Sequence, residues 1–143
     1  MSIEQSGTTA RCRVVRAEEM YEGKQRAQFF AGISAESVGA KGLCMHLVTI
    51  PPGAVGEVHL HEEHETALFV LEGESTTYFG EGLTDSATVR AGEFLFIPAG
   101  VPHRAENNDP INPARAVLAR TDPNEQESVV LLAADGSRRD DAG

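Results

Sequence analysis

Short apolar runs that end at turn-forming residues make up most of the chain, and this pattern restricts the folds it can adopt. β-branched and aromatic residues lie in the runs, whereas Gly and Pro lie in the gaps. Strands of this length, with turns about every 8–12 residues, predict an all-β sandwich or barrel. The runs are 43–50, 57–61, 66–71, 75–79, 87–90, 94–97, 102–106, 114–121 and 128–133.

The length of 143 residues fits one domain with a single core. We predict a barrel over 13–134, with short polar and flexible ends at 1–12 and 135–143. The region before the first clear strand is less defined. Residues 14–22 could form a short helix or an edge strand, and 29–38 give no clear assignment.

The formal net charge of −10 argues against nucleic acid and anionic membranes as partners, because like charges repel. A local pocket can still be positive and accept a small anion. No stretch approaches the roughly 20 apolar residues of a membrane span, and the N-terminus lacks the apolar run of a signal peptide. Cys12 and Cys44 are expected to be ordinary thiols of a reducing compartment, which predicts a cytoplasmic protein.

Three histidines form a candidate metal site. On a strand, side chains alternate between faces, so His59 and His61 point the same way and Leu60 points the other way. His103 follows a Pro-x-Gly turn much further along the chain, where Pro102 stiffens the backbone. Three neutral imidazoles with open coordination positions suit one divalent ion of Fe, Mn, Ni, Cu or Zn.

Both histidine stretches resemble the paired motifs of the cupin superfamily. The second motif, G-x5-P-x-G-x2-H-x3-N, is matched by Gly92, Pro98, Gly100, His103 and Asn107. The first, G-x5-H-x-H-x(3,4)-E-x6-G, is similar through Gly53, His59, His61, Glu65 and Gly73. The resemblance covers 53–107 and implies an all-β, single-domain jelly-roll β-barrel with a metal inside, often as a dimer.

The first motif departs from the family pattern in one place. Seven residues instead of six separate Glu65 from Gly73. If Gly73 fixes the strand register, Thr66 and His64 face inward and Glu65 faces outward. If a bulge precedes the strand, Glu65 turns inward as a fourth ligand. Glu65, His64 or an open position therefore remain alternatives for completing the metal site.

Other residues are candidates for supporting roles. His64, Glu65 and His46 are the candidate proton carriers. Arg120 is expected at the surface by burial base rates, although it could reach inward to bind a carboxylate. Asn107 is expected to fix the turn after His103. The residues expected around the histidines in the pocket are Leu68, Val70 and Phe96 or its neighbours.

The resemblance implies a metal-dependent enzyme acting on a small organic molecule, which could be an anion. Iron would give dioxygenase-type chemistry, and other ions would give isomerase, cyclase or lyase reactions. A small-ligand-binding or sensory module without turnover is the alternative, and an empty structural barrel is a third hypothesis. We expect a homodimer, in which the segment before Leu43 could add a strand to a partner barrel.

Overall fold

The structure is a computed structural model that describes residues 10–16, 20–22, 28–124 and 129–138. Most of the predicted flexible ends, 1–9 and 139–143, lie outside the described residues, and the domain boundaries remain a prediction. The described residues form eleven strands, which we number β1 to β11. They are Met20–Glu22, Gln28–Ile33, Cys44–Ile50, His59–His61, Thr66–Glu72, Glu74–Phe79, Asp85–Arg90, Phe94–Ile97, His103–Glu106, Ala114–Arg120 and Val129–Leu131.

The strands form two antiparallel sheets that pack into a jelly-roll β-barrel, which confirms the predicted fold class. The six-stranded sheet has the order β1-β2-β3-β10-β5-β8, and the five-stranded sheet has the order β11-β4-β9-β6-β7. Strands far apart in sequence are neighbours in both sheets. This arrangement brings β4 next to β9 and therefore places the two histidine stretches side by side.

Strict alternation along β10 shows why these sequences form strands. Ala114, Ala116, Leu118 and Arg120 are buried, and the residues between them are partly exposed. This period of two places one face of the strand in the barrel interior. The central apolar cluster contains residues of both sheets, namely Phe29, Val48, Val70, Val89, Ala116 and Leu118.

Gly73 fixes the turn between β5 and β6. Its φ of +76° lies in the left-handed region that favours glycine. A Cβ at this position would lie 2.6 Å from the carbonyl oxygen of Pro113. Both restrictions hold the end of β5 in place, so the register of β5 is set from Gly73 backwards.

The region that gave no clear assignment contains a strand and a short helix. Strand β2 is followed by the one-turn helix α1, Ala35–Val38. Ser34 caps α1 through a reciprocal pair of hydrogen bonds with Ser37, and Gly39 ends it in the left-handed conformation. Of the ambiguous stretch 14–22, the described residues 20–22 form β1, and 17–19 lie outside the described residues.

Cys12 is exposed and Cys44 is buried, and neither is in a disulfide, as predicted. Among the described residues, no helix has the length and hydropathy needed to cross a membrane.

Candidate metal centre

Two of the three predicted histidine ligands lie on the short strand β4. His59 and His61 are buried, whereas Leu60 between them is partly exposed, as strand alternation requires. Strand β4 lies between β11 and β9 in the five-stranded sheet. Strands on both sides hold β4 in place, and alternation points both imidazoles to the inner face of the barrel.

His103 begins β9 and lies opposite His59 in the antiparallel register. The ring centroids of His59 and His103 are 4.3 Å apart, and those of His61 and His103 are 5.4 Å apart. One ring nitrogen from each of the three residues lies within 4.8 Å of the others. The three residues that the two motifs supply are thus close enough to bind one ion together.

A backbone hydrogen bond joins the two motifs directly. The N–H of Gly100, in the Pro-x-Gly turn, donates to the carbonyl oxygen of His61 at 2.7 Å. The turn that precedes His103 is therefore fixed to the strand that carries the other two histidines.

Hydrogen bonds to the backbone set the protonation of two rings. His59 Nδ1 lies 2.8 Å from the carbonyl oxygen of Glu57, and His103 Nδ1 lies 2.9 Å from that of Val101. A carbonyl can only accept, so each Nδ1 carries the proton and donates it. The lone pair of each ring is then on Nε2, the nitrogen available for a metal.

Burial keeps the three rings neutral. Together with the nearby His103, it lowers the pKa of His59 to about 3. Burial also lowers the pKa of His61 to about 2, with additional contributions from His59 and His103. The pKa of His103 is lowered as well, again mainly by burial. Neutral imidazoles at pH 7 are the state in which histidine binds metals. The donor set therefore fits a divalent transition metal.

The three histidines open into a cavity of about 90 Å³ inside the barrel. Leu68 and Val70 line it as predicted, and so do Leu95 and Ile97, the neighbours of Phe96. Phe96 itself points outward. Small polar side chains complete part of the wall, namely Thr66, Ser75 and Thr77. Such a mostly apolar cavity with few polar groups is typical of a small-molecule site.

The structure follows the register set by Gly73. Thr66 is buried and lines the cavity, whereas the side chain of Glu65 is exposed. The backbone of Glu65 pairs with Thr121 instead: its N–H donates to Thr121 Oγ1 at 3.0 Å, and its carbonyl accepts from the Thr121 N–H at 3.2 Å. The structure therefore does not bring Glu65 to the three histidines.

His64 is buried beside the site but outside the group of three. Its ring centroid lies 4.8 Å from that of His61, and its Nδ1 lies 3.5 Å from Asp122 Oδ2. Burial lowers the pKa of His64, while the Asp122 carboxylate acts in the opposite direction. His64 Nε2 is buried with no hydrogen-bond partner among the described residues. If Nδ1, the nitrogen nearer to the Asp122 carboxylate, carries the proton, the neutral ring has its lone pair at this Nε2.

His46 lies elsewhere in the interior. Its ring packs edge-on against Phe29, with the centroids 6.2 Å apart, and burial lowers its pKa to about 4. His46 does not belong to the residues that line the cavity. Among the three candidate proton carriers, only His64 makes a ring contact with a histidine of the site.

The prediction of a surface position for Arg120 is wrong. This residue is 3% exposed and lines the cavity. Its guanidinium lies 3.7 Å from Cys44 Sγ and 5.6 Å from the centre of the Phe29 ring. Alternation along β10 could have revealed it, because Arg120 shares a face with Ala116 and Leu118. The cavity wall thus carries a positive charge that base rates of burial did not anticipate.

Asn107 fixes the turn after His103, as predicted. Its side-chain amide donates to the carbonyl oxygens of Ile50, Pro51 and Asn112, at 3.1, 3.3 and 2.9 Å. Its Oδ1 accepts from the Asp109 N–H at 3.0 Å. These bonds join the end of β3 to the loop between β9 and β10.

Comparison with known families agrees with this site. The family model described as a cupin domain matches residues 46–119, just over half of the chain. The match includes all three histidines of the site. The chain belongs to the cupin family.

Individual relatives cover different parts of this cupin. Germin-like protein subfamily 2 member 4 of Arabidopsis thaliana is 31% identical over 80 residues, which are 54% of this chain and 36% of the relative. The chain thus spans about a third of that curated relative. Among solved structures, the Bacillus subtilis oxalate decarboxylase with Mn(II) centres has a TM-score of 0.64 at 20% identity. That match covers 80% of this chain and 30% of the enzyme.

A lyase provides another structural match. The DMSP lyase DddQ of Ruegeria pomeroyi DSS-3 has a TM-score of 0.54 at 25% identity, over 64% of this chain and 44% of the lyase. The likeness to the oxalate decarboxylase establishes the fold alone. Two of these proteins are named as enzymes that act on small molecules, and one of them as containing Mn(II).

Proposed function

We propose that this cupin is a metal-dependent enzyme that acts on a small carboxylate, with the ion held by His59, His61 and His103 and by no protein carboxylate. The observation that carries the proposal is the convergence of three buried, neutral imidazoles on a cavity whose wall also holds Arg120. Such a cavity combines a site for a cation with a second positive group for an anion.

The ligand set determines the charge of the site. Three neutral imidazoles leave the formal charge of a divalent ion unchanged, whereas a bound Glu65 would reduce it by one. The exposed position of Glu65 supports the first arrangement. A divalent ion bound there would supply Lewis-acid polarisation of the substrate or a site for O₂ chemistry.

The protein side chains would bind and orient the substrate. The cavity has room for a small molecule next to the three histidines, and its wall is mostly apolar. We propose that the Arg120 guanidinium attracts its anionic end and that Leu68 and Leu95 exclude water around its apolar part. Oxalate and DMSP, named for two structural neighbours, both carry a carboxylate and are the first probes.

His64 is our candidate for a proton acceptor next to the site. Its Nε2 lone pair and its contact with His61 support this role, whereas Glu65 is exposed and the His46 ring packs against Phe29. Neither His64 nor His46 belongs to the residues that line the cavity, so His64 would act from beside it. A proton taken up by the ring would be stabilised by Asp122 at Nδ1.

Metal analysis of untagged protein tests the ligand set. We expect near-stoichiometric Mn, Fe, Ni, Cu or Zn in the wild type and in Glu65→Gln, and a loss of most metal in His61→Ala. If Glu65→Gln loses the metal, the carboxylate is a ligand and the proposed set is wrong. If His64→Gln loses it, His64 is a fourth ligand rather than a proton acceptor.

Binding of oxalate or DMSP to the metal-loaded protein tests the role of Arg120. Loss of a charge-assisted contact of about 1.5–3 kcal/mol should weaken binding about 10- to 100-fold in Arg120→Gln. Arg115→Gln is the matched control, because Arg115 lies on the same strand but pairs with Glu72 on the outer face. Equal affinities of both variants for a ligand that binds the wild type would contradict the role of Arg120.

A further inference from the structure

One pair of neighbouring side chains supplies the polar groups on an otherwise apolar wall of the cavity. Thr66 and Arg120 lie directly opposite each other in the register of β5 and β10. Among the described residues of the six-stranded sheet that line the cavity, only these two are polar. Further along the same strands, the inner row that crosses the sheet is wholly apolar and consists of Val70, Ala116 and Val48.

The Thr66 hydroxyl is buried and makes no hydrogen bond within the described part of the chain. The residue is 3% exposed and lines the cavity. Thr76, another buried threonine, shares a hydrogen bond of 2.9 Å with the Thr88 hydroxyl. A buried hydroxyl without a partner destabilises the folded state, and valine would fill nearly the same space without this cost. Packing alone therefore does not account for a threonine at position 66.

The position of Thr66 relative to the histidines gives its hydroxyl a possible partner. Six residues separate Thr66 from Gly73, which is the spacing at which the family motif has its glutamate. A glutamate at this position would place a negative charge in the cavity and would repel the carboxylate of a substrate. A threonine hydroxyl is neutral and can donate a hydrogen bond to a carboxylate. The residue at this position therefore affects which ligands the cavity accepts.

We propose that Thr66 is a substrate-binding residue whose hydroxyl donates a hydrogen bond to the carboxylate that Arg120 attracts. The inference rests on the proposed function and adds a second protein contact to it. Directly opposed residues of antiparallel strands have their Cβ atoms about 4.5–5.5 Å apart, which is close enough for both side chains to reach one carboxylate. A carboxylate accepts through both oxygens, so it suits a guanidinium and a hydroxyl that both donate.

Calorimetric titration of oxalate and DMSP into the metal-loaded protein tests the contact. Thr66→Val should bind the carboxylate about 10-fold more weakly than the wild type, because one hydrogen bond to a charged group is lost. Thr66→Ser keeps the hydroxyl and should bind with an affinity close to that of the wild type. Thr49→Val is the matched control, because Thr49 is the neighbour of Arg115 in the register of β3 and β10, on the outer face of the same sheet.

A double variant tests whether the two residues hold the same group. If they do, the loss of affinity in Thr66→Val with Arg120→Gln should be smaller than the product of the two single losses. Losses that multiply in full would mean that the two side chains act on separate parts of the ligand, and would overturn the proposal.

The thermal stability of the metal-free protein provides a readout that needs neither metal nor ligand. Removal of an unbonded buried hydroxyl should raise the melting temperature of Thr66→Val by about 2–5 °C. Thr76→Val is the comparison and should melt below the wild type, because it loses the hydrogen bond to Thr88. A melting temperature of Thr66→Val several degrees below the wild type would overturn the inference, because the hydroxyl would then serve the fold.

The titrations also separate this inference from the proposed function. If Arg120→Gln binds the carboxylate more weakly and Thr66→Val binds it as the wild type does, the role of Thr66 is wrong and the proposed function stands. If the metal-loaded wild type binds neither probe, the proposed function fails and this inference fails with it.

Discussion

Acidification should destabilise the metal-free protein well above the pH at which carboxylates titrate. In the folded state the pKa is lowered to about 3 for His59, about 2 for His61 and about 4 for His46. In the unfolded chain the same rings are hydrated and have a pKa of about 6.5. Between these values the unfolded state binds more protons than the folded state. The free energy of unfolding is therefore not reduced by these rings above pH 6.5, and it decreases as the pH falls below that value.

The expected loss follows from the linkage relation. At pH 5 each of the three rings is still neutral in the folded protein but almost fully protonated in the unfolded one. Each ring therefore lowers the free energy of unfolding at pH 5 by about 2 kcal/mol relative to pH 7.5, and the three rings together lower it by about 6 kcal/mol. Because small domains have about 5–15 kcal/mol in total, the metal-free protein should be near its unfolding threshold at pH 5.

Urea unfolding with a chelator present, at pH 7.5 and pH 5.0, measures this difference. His59→Gln removes one titrating ring, so its loss of stability between the two pH values should be about 2 kcal/mol smaller than that of the wild type. Glu65→Gln changes an exposed side chain and should behave as the wild type. A loss below about 2 kcal/mol in the wild type, or an unchanged loss in His59→Gln, would refute the reasoning.

Three further measurements address stability. Gly73→Ala should lower the free energy of unfolding by about 1–3 kcal/mol, because the added Cβ would clash with the backbone and φ at this position is positive. Thermal unfolding measures this loss, and Gly42→Ala, whose Cβ would enter open space, is the control. Asn107→Ala should cost about 2–4 kcal/mol in urea unfolding, because the amide bonds to four backbone groups are lost; an effect below about 1 kcal/mol would contradict their importance. Free Mn(II) at a concentration 100 times the dissociation constant of the site should stabilise the metal-free wild type by about 2.7 kcal/mol. Calorimetry measures this stabilisation and should show none in His61→Ala.

Local patterns in the sequence predicted most of the fold. The nine apolar runs correspond to β3 to β11, with ends that differ by at most two residues. The two histidine stretches also predicted which three histidines come together in the fold, because strand alternation determines which side chains share a face. The sheet order depends on long-range pairing, and only the family resemblance implied it.

The residue at the fourth ligand position of the metal site could not be predicted from the sequence. The number of residues between it and His61 favoured Glu65 as the inward-facing residue, whereas the number of residues up to Gly73 favoured Thr66. The structure shows that the turn controls the register, because the close approach of Gly73 to Pro113 holds the end of β5. The position of Arg120 was missed for a different reason. Most arginine side chains are exposed, and that average was used for the prediction, whereas the burial of Arg120 follows from its place on the buried face of β10.

The register of β5 makes the ligand set sensitive to a change of a single codon. Deleting Ala67 while Gly73 stays fixed would leave six residues between Glu65 and Gly73, the spacing of the family motif. Strand alternation would then turn Glu65 into the cavity and Thr66 out of it. A lineage of such barrels can therefore gain or lose a carboxylate ligand by an insertion or deletion, without replacing any residue of the motif itself.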